Sequence, residues 1–141
     1  MLFIEAVNLT KEKIDTQIII GFTKKIIKKL RRLKKFPFLK NIDLSIAFIG
    51  EAEIKKLNSK YRKINKPTDE LSFLLEKSET KLSGEILLCP KVIKTKDYGF
   101  QVSSFKFQVN RLLIHAFLHL CGYDHETDKD WKRMEEMEEK Y

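Results

Sequence analysis

Three features of the sequence point to a single α+β domain, a small mixed β-sheet packed with helices around one central, histidine-bearing helix. The chain has 141 residues, 43% of them hydrophobic, enough for one core and too few for two domains of ordinary size. Strand-like and helix-like segments are interspersed along it, in the order strand, helix, strand, helix, two strands, helices. The most apolar stretch, residues 112–121, is apolar nearly all round apart from two histidines, the pattern of a buried helix. No repeat or linker divides the chain, so residues 1–141 read as one domain.

The elements follow in order. Residues 2–7 read as an opening strand. After Asp15, the residues Ile19, Phe22, Ile26, Leu30 and Leu33 step by three or four and mark one buried helix face, with Pro37 ending the helical region. Ile42, Leu44, Ile46 and Phe48 alternate, so 42–49 is predicted as a strand with one buried face. Gly50 breaks it ahead of a helix carrying Ile54, Leu57 and Tyr61 at helical spacing. Asn65, Lys66, Pro67 and Thr68 form a turn signal. Residues 71–75 and 85–88 read as short strands joined by a polar loop over 77–84. Pro90 suits the first turn of a short helix. Ser103 or Ser104 is the expected N-cap of a helix reaching Cys121, and Gly122 the left-handed residue that ends it. A last helix is expected from about Thr127, with Trp131, Met134 and Met137 on its inner face.

Composition excludes several classes. Disorder does not suit 11% aromatic content. The longest apolar stretch is half a membrane span, so no transmembrane helix and no membrane partner are expected. The first residues lack a basic n-region and cleavage-type small residues, so a cytoplasmic location is expected, where Cys89 and Cys121 stay reduced. The formal net charge is +8, and it is uneven: residues 1–70 carry 17 Lys and Arg against 8 Asp and Glu, whereas residues 71–141 carry 11 against 12. Lys24, Lys25, Lys28, Lys29, Arg31, Arg32 and Lys35 form a stripe opposite the apolar face of the first helix, either a solvated face or a track for a phosphate backbone.

All three histidines, His115, His119 and His125, lie in the string HAFLHLCGYDH. Positions i and i+4 of a helix share a face, so His115 and His119 present imidazoles to one point, and Gly122 lets the chain turn so that His125 approaches it. Three imidazoles with a fourth position open is the coordination of a catalytic zinc, one ion per chain, although nickel, copper and iron also suit such ligands. Asp124 can orient an imidazole through a hydrogen bond or simply form the turn. The spacing H-x3-H-x5-H is also that of metzincin proteases, but Ala116 stands where their catalytic Glu would be, which disfavours peptide hydrolysis.

HAFLHLCGYDH resembles the H-G-x-L-H-L-x-G-Y-D-H signature of the YbeY family of bacterial ribosomal-RNA maturation endoribonucleases. LNSKYRKINKPTDELSF, from Leu57 to Phe73, is similar to that family's L-N-x-x-Y-R-x-x-x-K-P-T-D-V-L-S-F block, and Gly84, Glu85 and Ile86 to its G-D-I strand. The resemblance implies an α+β fold with zinc on His115, His119 and His125. It implies one metal-dependent endoribonuclease domain, preferring single strands, that acts on the small-subunit ribosomal-RNA 3′ end and in ribosome quality control. Ribosomal RNA, ribosomal particles and a small-subunit ribosomal protein are the implied partners. It points to Arg62 as the functional arginine beside His115; a guanidinium pairs bidentately with phosphate and stabilises developing charge. Lys24, Lys28, Arg31, Arg32 and Lys35 are then the candidate RNA-binding residues. Ala116 replaces the family's glycine, Glu85 its aspartate, Glu70 an apolar residue and Leu74 a proline, the last two bearing on local strand geometry. Without an evident general base, a zinc-stabilised, non-cutting RNA-binding assembly factor is the alternative, and a metalloprotease-like hydrolase a more distant one.

Overall fold

A computed structural model describes residues 1–32, 37–96 and 104–122. The elements are β1 (Leu2–Asn8), α1 (Thr16–Arg31), a 3-10 turn (Pro37–Lys40), β2 (Asn41–Phe48), α2 (Glu51–Arg62), β3 (Glu70–Lys77), β4 (Lys81–Leu88), α3 (Pro90–Thr95) and α4 (Phe105–Leu120). The sheet order is β1-β2-β4-β3, with β1, β2 and β4 parallel and β3 antiparallel to β4. This is the mixed sheet expected. Its parallel pairs need long crossovers, which α1 supplies between β1 and β2 and the α2–β3 segment between β2 and β4.

The main core lies between one sheet face and helices α1 and α4, and includes Ile26, Ile27, Leu30, Leu44, Ile46, Phe48, Ile86, Leu113, Ile114 and Phe117. A smaller cluster on the opposite face joins Ile49, Ile54, Leu71 and Cys89. Asp15 caps α1 by accepting from Gln17 and Ile18 N–H groups, and Ser104 caps α4 by accepting from Phe107 N–H at 3.1 Å. Gly122 has φ +93°, the left-handed conformation expected after α4.

Several expectations are corrected. The polar loop predicted over 77–84 is mostly strand: β3 and β4 are eight residues each and form a hairpin whose turn is closed by Ser78 N–H donating to Lys81 C=O at 2.9 Å. Its polar residues sit on ladder positions at the solvated end of the sheet, so composition there reports exposure rather than loop. Pro37 opens a 3-10 turn instead of ending α1, which stops at Arg31. Helix α2 ends on Lys63 at φ 62°, without a glycine to signal it. Tyr61 is exposed, and its ring meets Phe73 edge-on at 5.0 Å. The register of β3 shifts between Leu74 and Glu76, where the sequence departs from the family's proline. Both cysteines are free and buried; burial pushes the Cys121 thiol up to about 12, against the pull of Lys77, so it acts as a packing residue. Leu33, Lys35, Asp124, His125, Thr127, Trp131, Met134 and Met137 lie outside the described residues.

Candidate active site

Along α4, residues Gln108, Arg111, Leu112, His115 and His119 recur three or four positions apart and share one face. That face forms one wall of a cavity of about 370 Å³; Thr68, Asp69 and Glu70 at the start of β3, Arg62 at the end of α2 and Lys96 just beyond α3 form the rest. Val109, Leu113, Ile114, Ala116, Phe117, Leu118 and Leu120, on the other sides of α4, are buried, which fixes the helix's rotation. A smaller cavity, about 200 Å³, lies between the start of α1 and the first turns of α4, and neither histidine reaches it.

The His115 and His119 rings are 5.2 Å apart between centroids, tilted by 59°. His115 is half-buried and His119 exposed, so the pair runs from the cavity's depth to its mouth. Among the described residues no group of three His, Cys, Asp or Glu is placed to hold a metal ion; the motif's third histidine, His125, is not among them.

Arg62 reaches the cavity because the left-handed Lys63 ends α2 and the next residues fold back, with Asn58 Nδ2 donating to Lys66 C=O at 2.8 Å. Asp69 is held from two sides: its carboxylate accepts from Lys96 Nζ at 3.0 Å, and its backbone carbonyl accepts from Cys89 N–H at 2.9 Å. Thr68 and Asp69 thus shape the entry to β3 and also line the cavity.

Among the cavity residues, sequence reading missed Glu70, Lys96, Gln108 and Arg111. Alternation on β3 sends Leu71 to the smaller core and Glu70 toward α4. Burial pushes the Glu70 carboxyl up to about 7; the Arg62 charge opposes this, Asp69 adds to it, and a Ser72 hydrogen bond and Lys96 oppose it. Its Oε1 has no hydrogen-bond partner among the described residues, nor has either polar end of Gln108. Gln108 and Arg111 stand two turns and one turn before His115, so helical periodicity could have found them. Glu70 and Lys96 enter only through tertiary packing.

Of the sequence-predicted residues, Arg62, His115 and His119 come together, and none of the α1 basic residues lines the cavity. Lys28 and Arg32 are exposed and Lys24 half-buried. Arg31 is committed to the fold, its guanidinium donating to the carbonyls of Leu39 at 2.7 Å and Lys40 at 3.0 Å. Glu85 is exposed, on the opposite side of β4 from Gly84 and Ile86, and does not line the cavity. Ala116 is fully buried, and among the described residues the carboxylates that line the cavity are those of Asp69 and Glu70.

Known proteins resemble the chain along most of its length. A family profile described as Endoribonuclease YbeY matches residues 6–141. Proteins named Endoribonuclease YbeY are 33% identical over 146 residues in Thermoanaerobacter sp. (strain X514), covering 92% of this chain and 89% of that one. In Buchnera aphidicola the identity is 41% over 105 residues, covering 72% and 67%. The solution structure of TM1509 from Thermotoga maritima superposes with a TM-score of 0.62 at 28% identity, covering 99% of this chain and 86% of that one.

Proposed function

Since the chain belongs to the Endoribonuclease YbeY family, we propose that it is a metal-dependent endoribonuclease whose reaction takes place in the cavity shared by Arg62, His115 and His119. The observation that carries this reading is the meeting of a guanidinium with two imidazoles in one polar cavity, from elements distant in sequence. In this reading His115, His119 and His125 hold one zinc ion, with Asp124 orienting an imidazole. Two imidazoles a helical turn apart, opening into a polar cavity, fit that donor set. When bound, zinc supplies polarisation of a phosphoryl oxygen and a lowered pKa for water.

The chain's own residues do the rest. Arg62 pairs with the phosphate and stabilises the charge that develops as the bond breaks. Lys96, steadied by Asp69, and Arg111 add positive charge to the wall. Lys24, Lys28, Arg32 and Lys35 hold flanking RNA backbone, while Arg31 anchors the end of α1. The substrate of this reading is single-stranded ribosomal RNA at the small-subunit 3′ end, cut in the cytoplasm within ribosomal particles, with a small-subunit ribosomal protein presenting it; the resemblance of the motif blocks supports this.

The test is an end-labelled small-subunit ribosomal-RNA fragment incubated with zinc-loaded protein and with folded His115→Ala and Arg62→Ala variants. Cutting by the wild type alone is expected. Equal cutting by all three would indicate a contaminant, and binding without cutting, even on ribosomal particles, would favour a non-cutting assembly factor.

A further inference from the structure

Gln108 is only 2% exposed and Glu70 only 6%, yet Gln108 Oε1, Gln108 Nε2 and Glu70 Oε1 have no hydrogen-bond partner among the described residues. Buried polar groups are rarely left so, because desolvation without a new partner is costly. Here both residues line one cavity, so a bound molecule can complete them. Their backbones are rigid: Gln108 N–H donates to Ser104 C=O at 3.1 Å in the first turn of α4, and Glu70 is paired with Leu88 on β4.

The orphaned atoms have a definite chemistry. Two are acceptors, the Gln108 oxygen and the Glu70 Oε1 when the carboxyl is ionised or carries its proton on the other oxygen, and one is a donor, the Gln108 amide N–H. An amino-bearing base offers the complement: an exocyclic amino group with two N–H donors beside a ring nitrogen that accepts. Adenine and cytosine have that edge, and a glutamine carboxamide pairs bidentately with such an edge of adenine. Uracil has no amino group. On guanine the ring nitrogen beside the amino group on the Watson–Crick edge is itself a donor.

Resting on the nuclease reading for its strand, we propose that Gln108 and Glu70 form a specificity subsite that recognises an unpaired adenine or cytosine of the RNA laid into this cavity. In an RNA duplex the Watson–Crick amino edge is occupied by the partner base and the N6–N7 edge of adenine lies in a deep, narrow major groove that side chains cannot read, so the subsite also provides a reason for preferring single strands.

The probes are short fluorescein-labelled oligouridylates carrying one central adenine, cytosine, guanine or uracil, and a further one with N6,N6-dimethyladenine, which has no amino donor. Binding by anisotropy and cleavage are read in parallel for the wild type, Gln108→Leu and Glu70→Val. The expected result is about ten-fold tighter binding of the adenine or cytosine strand over the uracil strand. That preference is lost in both variants, and in the wild type with the dimethylated base. The dimethylated base needs no folded variant, so it decides the matter alone if a substitution fails to fold. Wild-type binding without base preference, or a preference that survives dimethylation, overturns the subsite whether or not RNA is cut. A sensitive preference without cleavage upholds the subsite and overturns the nuclease reading.

Discussion

Gly84 of β4 lies directly beneath Leu120 of α4: a Cβ at Gly84 would stand 2.8 Å from Leu120 Cδ1 and 3.1 Å from the Phe73 carbonyl oxygen. The histidine helix therefore rests at its C-terminal end on a β4 position with no side chain, in a strand between β2 and β3. Gly84→Ala forces the Leu120 side chain aside and needs the Phe73 carbonyl to give by a few tenths of an ångström. We expect a loss of about 1–3 kcal/mol of stability, measured by urea denaturation, together with lower activity as His119 shifts. An unchanged midpoint would show that the helix does not depend on this contact.

Glu70 makes stability depend on pH. Its folded carboxyl is raised from 4.5 to about 7, so the folded state holds the proton more tightly than the unfolded one. Stability is then highest below the unfolded value, falls as pH rises through the folded one, and levels off above it. The change is at most about 3 kcal/mol at 1.36 kcal/mol per unit. Glu70→Gln should flatten the profile between pH 4.5 and 7, read from denaturation midpoints across that range. An unaltered slope would place its origin elsewhere.

Gln108→Leu should stabilise the protein even as it impairs function. The substitution keeps the approximate shape and removes two unsatisfied polar atoms, a change that is neutral to favourable when no partner is left behind. A rise in Tm of about 3 °C corresponds to about 1 kcal/mol for a chain of this size. A marked fall would mean that the carboxamide is satisfied within the free protein.

Much of this arrangement is legible in the sequence, for reasons of periodicity. The alternation from Ile42 to Phe48, the three- and four-residue steps from Ile19 to Leu30, and the Ser104 and Gly122 punctuation of α4 each reflect one local rule, and the structure follows them. His115 and His119 are readable because a helix turn brings i and i+4 together. What was hidden depends on tertiary contact. Glu70 reads as an anomaly in a strand until α4 closes over it, and Lys96 has no meaning before Asp69 lies 3.0 Å away. Lys63 ends α2 in a conformation usually given to glycine, and the exposed half of the β3–β4 hairpin looks like a loop because its ladder residues are polar.

The Asp69–Lys96 pair is expected to matter to activity more than to stability. Lys96 is half exposed, so the ion pair itself contributes at most about 1 kcal/mol. Asp69→Asn removes the carboxylate charge that the Lys96 ammonium meets at 3.0 Å on the cavity wall. Its effect should be a several-fold loss of cleavage with a denaturation midpoint close to wild type; a large stability loss with normal activity per folded molecule would reverse that assignment.

Removal of the proposed zinc should lower stability, because a ligand that binds only the folded state adds to it. Melting with and without a chelator, followed by zinc addition, reads this directly, and His119→Ala should be insensitive to both. Identical curves for the wild type would argue against a bound metal.

The central claim, that Arg62 and His115 act in one RNA-cleaving site, is tested most directly by single-turnover cleavage of a labelled single-stranded RNA. The measurement compares wild type, Arg62→Ala, His115→Ala and the double variant. Residues that act as a unit are strongly non-additive, so the double variant should be no slower than the slower single one. Losses that multiply across the two substitutions, or rates that match the wild type in either single variant, would contradict a shared site.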